Sequence, residues 1–331
     1  MTMGVSEPKK LALLRIYEIL KEHSDFDHPL LQEEIVSRLK NEYGIDVDRK
    51  TVGRNLSLLK EAGIEIESKR GGSYLAQRRF DDSELRLLID GVLSSKHVTA
   101  KQSEDLIERI CELSNKYFKA SVRHVRSVNE WSKTENQSVF YNIELVHTAI
   151  EEARKITFSY NKYGTDKKLH RSSSQTVSPY LMLLHNQRYY LRGYNERYGT
   201  IQNYRLDRIT EMAILNEKAF PLKKIPGNER GIDYKLLGSA YPYMFSDKPE
   251  RTEFIADKII IDQVIDWFGK DISISETDDE SKVSISLTAS PMAMKYWALQ
   301  YINGVEIIRP EKLRSEIIAD LEKGLGKYKG Q

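Results

Sequence analysis

Apolar residues recur at helical spacing through the first sixty positions and then switch to alternation, so the chain opens with helices and turns to strands. Leu11, Leu14, Ile16, Ile19 and Leu20 predict a helix over Lys9 to Glu22, which "HSDFDHPL" interrupts. A second helix begins near Gln32, carries Ile35, Val36 and Leu39 on one face, and gives way at "YGIDV", where Gly44 supplies the turn. Asp48 is placed to cap a third, "RKTVGRNLSLLKEAG", whose Val52, Leu56 and Leu59 face inward and whose end is marked by Gly63. "IEIESKRGGSYLAQ" then alternates around Lys69-Arg70-Gly71-Gly72, as a two-stranded hairpin does. Three helices and a hairpin predict a winged helix-turn-helix over residues 1–80.

Two more amphipathic stretches, "DDSELRLLIDGVLSS" and "SEDLIERICELSNKYF", predict a helical linker over residues 81–137. Past the polar "SKTENQS", a helix from about Tyr141 to Arg154 leads into five strand-like runs: "KITFSY", "LHRSSSQTV", "SPYLMLL", "RYYLRGYN" and "IQNYRLDRI". One helix and five short strands predict a small β-barrel over residues 138–222. Beyond "FPLKKIPGNERG" strands and helices mix, predicting an α+β C-terminal domain over residues 223–331. The fold class expected is α+β and multidomain, in keeping with a length of 331 residues, too great for one ordinary core.

Composition adds little until the charge is divided. The net charge of +2 resolves into +1, −1, +4 and −2 over the four predicted segments. Residues 49–79 hold eight Lys/Arg against three Glu, and residues 167–208 hold eight against two acids, so two basic patches stand ready for anionic partners. Cys111 is the single cysteine, which excludes an internal disulfide and suits a reducing cytoplasm. No apolar run approaches the roughly 18 to 20 residues of a membrane helix. The start, "MTMGVSEPKKLALL", lacks a signal-peptide core, so a cytoplasmic protein without a membrane partner is expected.

Catalytic and metal chemistry find no foothold. The seven histidines have no pair at i, i+4, there is no G-x-S-x-G and no convincing carboxylate pair, and "GLGKYKG" lacks the strand-loop-helix setting of a phosphate loop and reads as a frayed tail. A protein that is not an enzyme, with no cofactor and no metal, is expected. Nucleic-acid chemistry fares better. With Val52, Leu56 and Leu59 inward, Lys50, Arg54 and Ser57 face outward on the third helix with Thr51 at the edge, where a recognition helix needs donors for a major groove. Lys69 and Arg70 sit at the hairpin tip, where a wing reaches a phosphate or the minor groove. Double-stranded DNA is the partner these residues suit.

In the barrel segment, "RYYLRGYNERYGTIQNYRLDRI" interleaves five arginines with tyrosines, a combination suited to a planar anion such as a nucleotide. Alternation puts Arg188, Tyr190, Arg192 and Tyr194 on one side. Arg205 and Arg208 differ in parity, so both line one site only if a bulge or a strand end intervenes. The plainer alternative is that these arginines are surface charges pairing with Glu196 and Asp207.

"SPYLMLLHNQRYYLRGYNE" followed by "YRLDRI" resembles the WYL domain, an Sm-like barrel, with Tyr189-Tyr190-Leu191 in place of the Trp-Tyr-Leu triplet. "WALQYINGVEIIRPEKLRSEI" resembles the extension domain that follows it in bacterial transcription regulators. The resemblance implies a regulator whose barrel binds a nucleotide or single-stranded nucleic acid effector. Carried onto this chain, the binding positions are Ser178, Tyr180, His185, Arg188, Tyr190, Arg205 and Arg208, and parity adds Arg192. A homodimer is expected, since one short recognition helix reads too few base pairs. Two alternatives stand: a nuclease or phosphodiesterase using the barrel, with His185 as base, and an RNA-binding accessory protein.

Overall fold

The computed structural model describes residues 7–122, 133–234, 237 and 240–329 of the chain. It forms two compact units, residues 1–137 and 138–331.

In the first unit, α1 (Ala12–His23), α2 (Gln32–Tyr43) and α3 (Arg49–Glu61) close on a core of Ile16, Leu20, Ile35, Leu39, Val52 and Leu56. The capping signals act as the sequence suggests. Gly44 takes the left-handed conformation at φ 67° after α2, and the Asp48 carboxylate accepts from the Thr51 N–H at 2.7 Å. β1 (Ile66–Lys69) and β2 (Gly72–Leu75) form the antiparallel hairpin. Leu30 adds a bridge to Ser73 through a pair of 2.8 Å backbone hydrogen bonds, an edge that "HSDFDHPL" does not announce. This bridge requires a glycine beside it: Gly72 lies at φ 131°, and a Cβ there would stand 2.1 Å from the Leu30 carbonyl oxygen. Ile66 and Leu75 of the hairpin join the core of the three helices.

The described residues of the segment 81–137 hold three helices, α4 (Asp82–Ser94), α5 (Ala100–Cys111) and α6 (Lys116–Val122), not two. The second predicted helix breaks at Asn115. Its side-chain oxygen accepts from the N–H groups of Tyr117 and Phe118, both at 2.9 Å, which starts a new helix. Its amide nitrogen donates to the Ser24 carbonyl at 3.3 Å and to Asp25 at 3.0 Å, anchoring the break beyond the end of α1.

The second unit begins with α7 (Val139–Glu151) and five strands: β3 (Arg154–Tyr163), β4 (Leu169–His185), β5 (Arg188–Asn195), β6 (Thr200–Arg205) and β7 (Ile209–Lys218). They pair antiparallel in the order β6-β5-β4-β3-β7. A 3-10 turn, Leu206–Arg208, joins the two outermost strands, and Val146 and Ala149 of α7 share a core with Ile156, Phe158, Leu191 and Ile209. This is the Sm-like arrangement.

The strands are divided differently from the sequence expectation. "LHRSSSQTV" and "SPYLMLL" are one strand of 17 residues, bent at a bulge between Pro179 and Leu181. Pro179, which has no N–H to donate, pairs there with Gly193, and a Cβ on Gly193 would lie 2.4 Å from the Val177 side chain. "IQNYRLDRI" divides instead, at Leu206, and its last residue, Ile209, begins β7.

The C-terminal part runs β8 (Glu250–Asp257), α8 (Ile261–Phe268), β9 (Ser273–Glu276), β10 (Lys282–Ala289), α9 (Pro291–Gln300), β11 (Val305–Arg309) and α10 (Glu311–Lys329). The antiparallel order β11-β8-β10-β9 is that of a split βαβ fold, packed on Trp297, Phe254 and Phe268. The expected tail "GLGKYKG" is helical through Lys329, a correction. Leu313 and Ile317 anchor the helix to the sheet, and its later turns carry Gly324 and Gly326 at a cost of about 1 kcal/mol each relative to alanine.

Candidate functional site

On α3 the inward set Val52, Leu56 and Leu59 is buried, which leaves Lys50, Arg54 and Ser57 exposed and Thr51 half-buried on the turn above the cap. Ser57 Oγ donates to the Gly53 carbonyl at 3.2 Å, so the hydroxyl is turned back on its own helix. Arg54 extends a full fork of donors from the exposed face. At the hairpin tip Arg70 is exposed, whereas Lys69 Nζ lies 3.8 Å above the centre of the Phe26 ring. That contact holds the ammonium beside an aromatic side chain that is itself 64% exposed.

In the barrel, strand register decides which residues meet. Ser178 pairs with Tyr194, Leu181 with Arg192, Leu183 with Tyr190 and His185 with Arg188; across β5, Arg192 pairs with Asn203 and Tyr190 with Arg205. Paired residues share a face. Ser178, His185, Arg188, Tyr190, Arg192 and Arg205 therefore stand on one outer surface, opposite the core-facing Leu191 and Tyr204. They divide into three groups along it.

At one end, Asp207 organises two arginines. Its side chain is 2% exposed; Oδ2 accepts from Arg188 Nη1 and Arg205 Nη2, each at 2.7 Å, and Oδ1 accepts from Arg205 Nε at 3.1 Å. The strand end after Arg205 is what lets the chain turn Asp207 back beneath both. Burial works against the Arg205 charge, but the hydrogen bonds and charge of Asp207 outweigh it and hold its pKa up. Burial and the neighbouring Arg205 push the Arg188 pKa down, with Asp207 opposing. Both remain cations and share the one carboxylate, on a surface where the side chains are 17% and 20% exposed. Tyr190 stands beside them, its hydroxyl pKa raised by burial against the pull of Arg205, so it is a neutral donor. The plainer alternative is thus met in part: Asp207 does pair with arginines, but from a buried position that fixes them. Arg208 does not join this pair. Its guanidinium lies 6.0 Å from the centre of the Tyr163 ring, with Nε buried and without a hydrogen-bond partner.

In the middle, the chain covers its own surface. His185 Nε2 lies 3.0 Å from the Pro242 carbonyl, so that nitrogen carries the proton and is committed as a donor. Tyr190 packs with Ala240, Tyr241 and Met244, and Asn203 Nδ2 donates to the carbonyls of Met244 and Phe245. Arg192 donates to Asn203 Oδ1 at 3.0 Å and to the Tyr241 hydroxyl at 3.3 Å. At the far end, Ser178 and Tyr180 hold backbone: the Phe220 N–H donates to Ser178 Oγ at 2.8 Å, and the Tyr180 hydroxyl donates to the Phe220 carbonyl at 2.6 Å. Burial pushes the Tyr180 pKa up to about 12, keeping that hydroxyl protonated.

Two features escape a sequence reading. Asp207 as a shared anchor was signalled only by an acid between two arginines. The covering segment Ala240–Ser246 carries aromatic residues but no motif. Among the described residues no group of three or more His, Cys, Asp or Glu could hold a metal ion, and no helix is long and apolar enough to cross a membrane.

Residues 141–214 match the family model of the WYL domain. Among solved structures the chain is similar to proteasome accessory factor B/C (PafBC) of Arthrobacter aurescens, with 14% identity and a TM-score of 0.30, covering 98% of this chain and 50% of that one. It is also similar to a CRISPR Cas-related protein, with 13% identity and a TM-score of 0.38, covering 99% of this chain and 88% of that one. The chain thus spans half the length of the PafBC chain. No curated protein matches it.

Proposed function

We propose, from the match of residues 141–214 to the WYL domain model, that the protein is a transcription regulator that binds operator DNA and senses a nucleotide or single-stranded nucleic acid on the outer face of its barrel. The observation that carries this reading is the pair Arg188 and Arg205 braced on buried Asp207 beside Tyr190. Fixed guanidinium groups bind a phosphate without the entropy cost of ordering two long side chains, and the adjacent phenol offers a neutral donor to the same group. His185 and Arg192 border the site. DNA binding is assigned to Lys50, Thr51, Arg54 and Ser57 on α3 and to Lys69 and Arg70 on the wing, with two copies of the chain supplying two recognition helices.

The test is direct binding of a fluorescent single-stranded oligonucleotide, followed by anisotropy. Arg188→Ala and Arg205→Ala should each weaken binding at least tenfold and lower its salt dependence by about one counterion. Binding unchanged in both variants would refute the sensor assignment.

A further inference from the structure

The barrel face holds a second cavity that an oligonucleotide does not explain, and we propose that it binds a small organic monoanion with an apolar body, held by Arg192. The cavity measures about 440 Å³ and lies between β5 and β6 and the chain that follows β7. Small-molecule sites run from about 300 to 1,000 Å³, so it suits a ligand of one or two rings. Ile201, Leu222, Ile225 and Tyr241 supply apolar wall.

Arg192 gives the site its half-buried cation, while Lys248, the other cation of the lining, is exposed. The Arg192 guanidinium lies 4.8 Å from the centre of the Tyr241 ring and donates to Asn203 and the Tyr241 hydroxyl, both neutral. Unlike Arg188 and Arg205, it has no carboxylate at ion-pair distance among the described residues, and two of its five donors are used in those bonds. A half-buried cation facing neutral partners favours an anion that brings its own acceptors. The acids of the lining set the ligand's charge. Asp247 accepts from Ser290 Oγ at 2.6 Å and from the Met292 N–H at 3.0 Å, so its charge is directed to the start of α9. Lys248 and Asp233 line the cavity as well, so its two cations, Arg192 and Lys248, face two acids, Asp233 and Asp247, and the lining holds no excess of positive charge for a dianion. The apolar walls then require an aliphatic or aromatic body. This site shares Arg192 with the border of the proposed sensor face but not the Asp207-braced pair, so the two readings can fail separately.

The experiment titrates 2-naphthoate and its neutral isostere 2-naphthamide into the full chain by isothermal calorimetry. The proposal expects naphthoate to bind at one site per chain, at least tenfold tighter than naphthamide. Arg192→Gln should lose at least tenfold for naphthoate, and Leu222→Trp, which fills the cavity and leaves Arg192 in place, should lose as much. Arg205→Gln should bind naphthoate as wild type does while losing the oligonucleotide, which separates this site from the sensor face. Absence of naphthoate binding to wild type at millimolar concentration, equal affinity for the amide, or retention in Arg192→Gln and Leu222→Trp variants that unfold at the wild-type temperature would each overturn it. So would equal loss in Arg205→Gln.

Discussion

Asp207 is the residue on which the proposed sensor face turns. Replacing it by asparagine keeps the shape but removes the charge that two guanidinium groups share. Breaking a buried ion pair from one side costs about 3 to 5 kcal/mol, and the low end applies because both arginines keep some contact with water. Asp207→Asn should therefore lower unfolding free energy by roughly 3 kcal/mol in urea titration, and a change under about 1 kcal/mol would show that the carboxylate does not fix the pair. A second residue-scale effect concerns His23 at the end of α1. Burial, then the charges of Arg38 and Lys116, push its pKa down. The unfolded chain thus binds the proton more readily, so stability should begin to fall as pH drops through about 6.5 and level off below the depressed folded value. His23→Gln should remove that component from a pH series of melting temperatures. The sequence names the arginines at this scale but not their arrangement, because residues 188, 205 and 207 meet only through strand register and the turn at Leu206.

Elements were far more legible. Helices α1 to α3 follow from their apolar spacing and from the caps at Gly44 and Asp48, which are local signals. What failed was non-local or lay in single residues read as neutral. Asn115 splits a helix because it caps the next one and bonds to Ser24 and Asp25 some 90 positions away in sequence. β4 runs through Pro179 because Gly193 on the neighbouring strand admits it. Leu30 pairs with the wing through a bridge that no periodicity marks. That bridge yields a prediction: Gly72→Ala should strain a φ of 131° and push the Leu30 backbone away, costing about 2 kcal/mol or more and freeing the wing, read as faster amide exchange at Leu30 and Ser73. For the DNA-binding elements, Arg54→Ala should cost about 1 to 3 kcal/mol of operator affinity and relax preference at one position. Arg70→Ala should weaken all sequences alike and reduce the salt slope by about one. Footprinting and salt titration distinguish the two, and unchanged affinity in both variants would contradict the DNA-binding assignment.

For the whole molecule, the central claim is that a sensor face in one unit governs DNA affinity in the other. An effector shifts that affinity only by the free energy with which it prefers one arrangement of the protein, typically about 1 to 3 kcal/mol, or 5- to 150-fold. Residues 240–246, seated on the same face as Tyr190 and Asn203, touch the proposed effector side chains and would feel their occupation. The most direct measurement titrates operator DNA into wild type and Arg205→Ala, with and without a saturating short single-stranded oligonucleotide. The account predicts that the oligonucleotide changes wild-type operator affinity at least fivefold, and that Arg205→Ala binds the operator as wild type does but no longer responds. Loss of operator binding by Arg205→Ala in the absence of oligonucleotide would contradict it, because the barrel face would then belong to the DNA-binding surface itself.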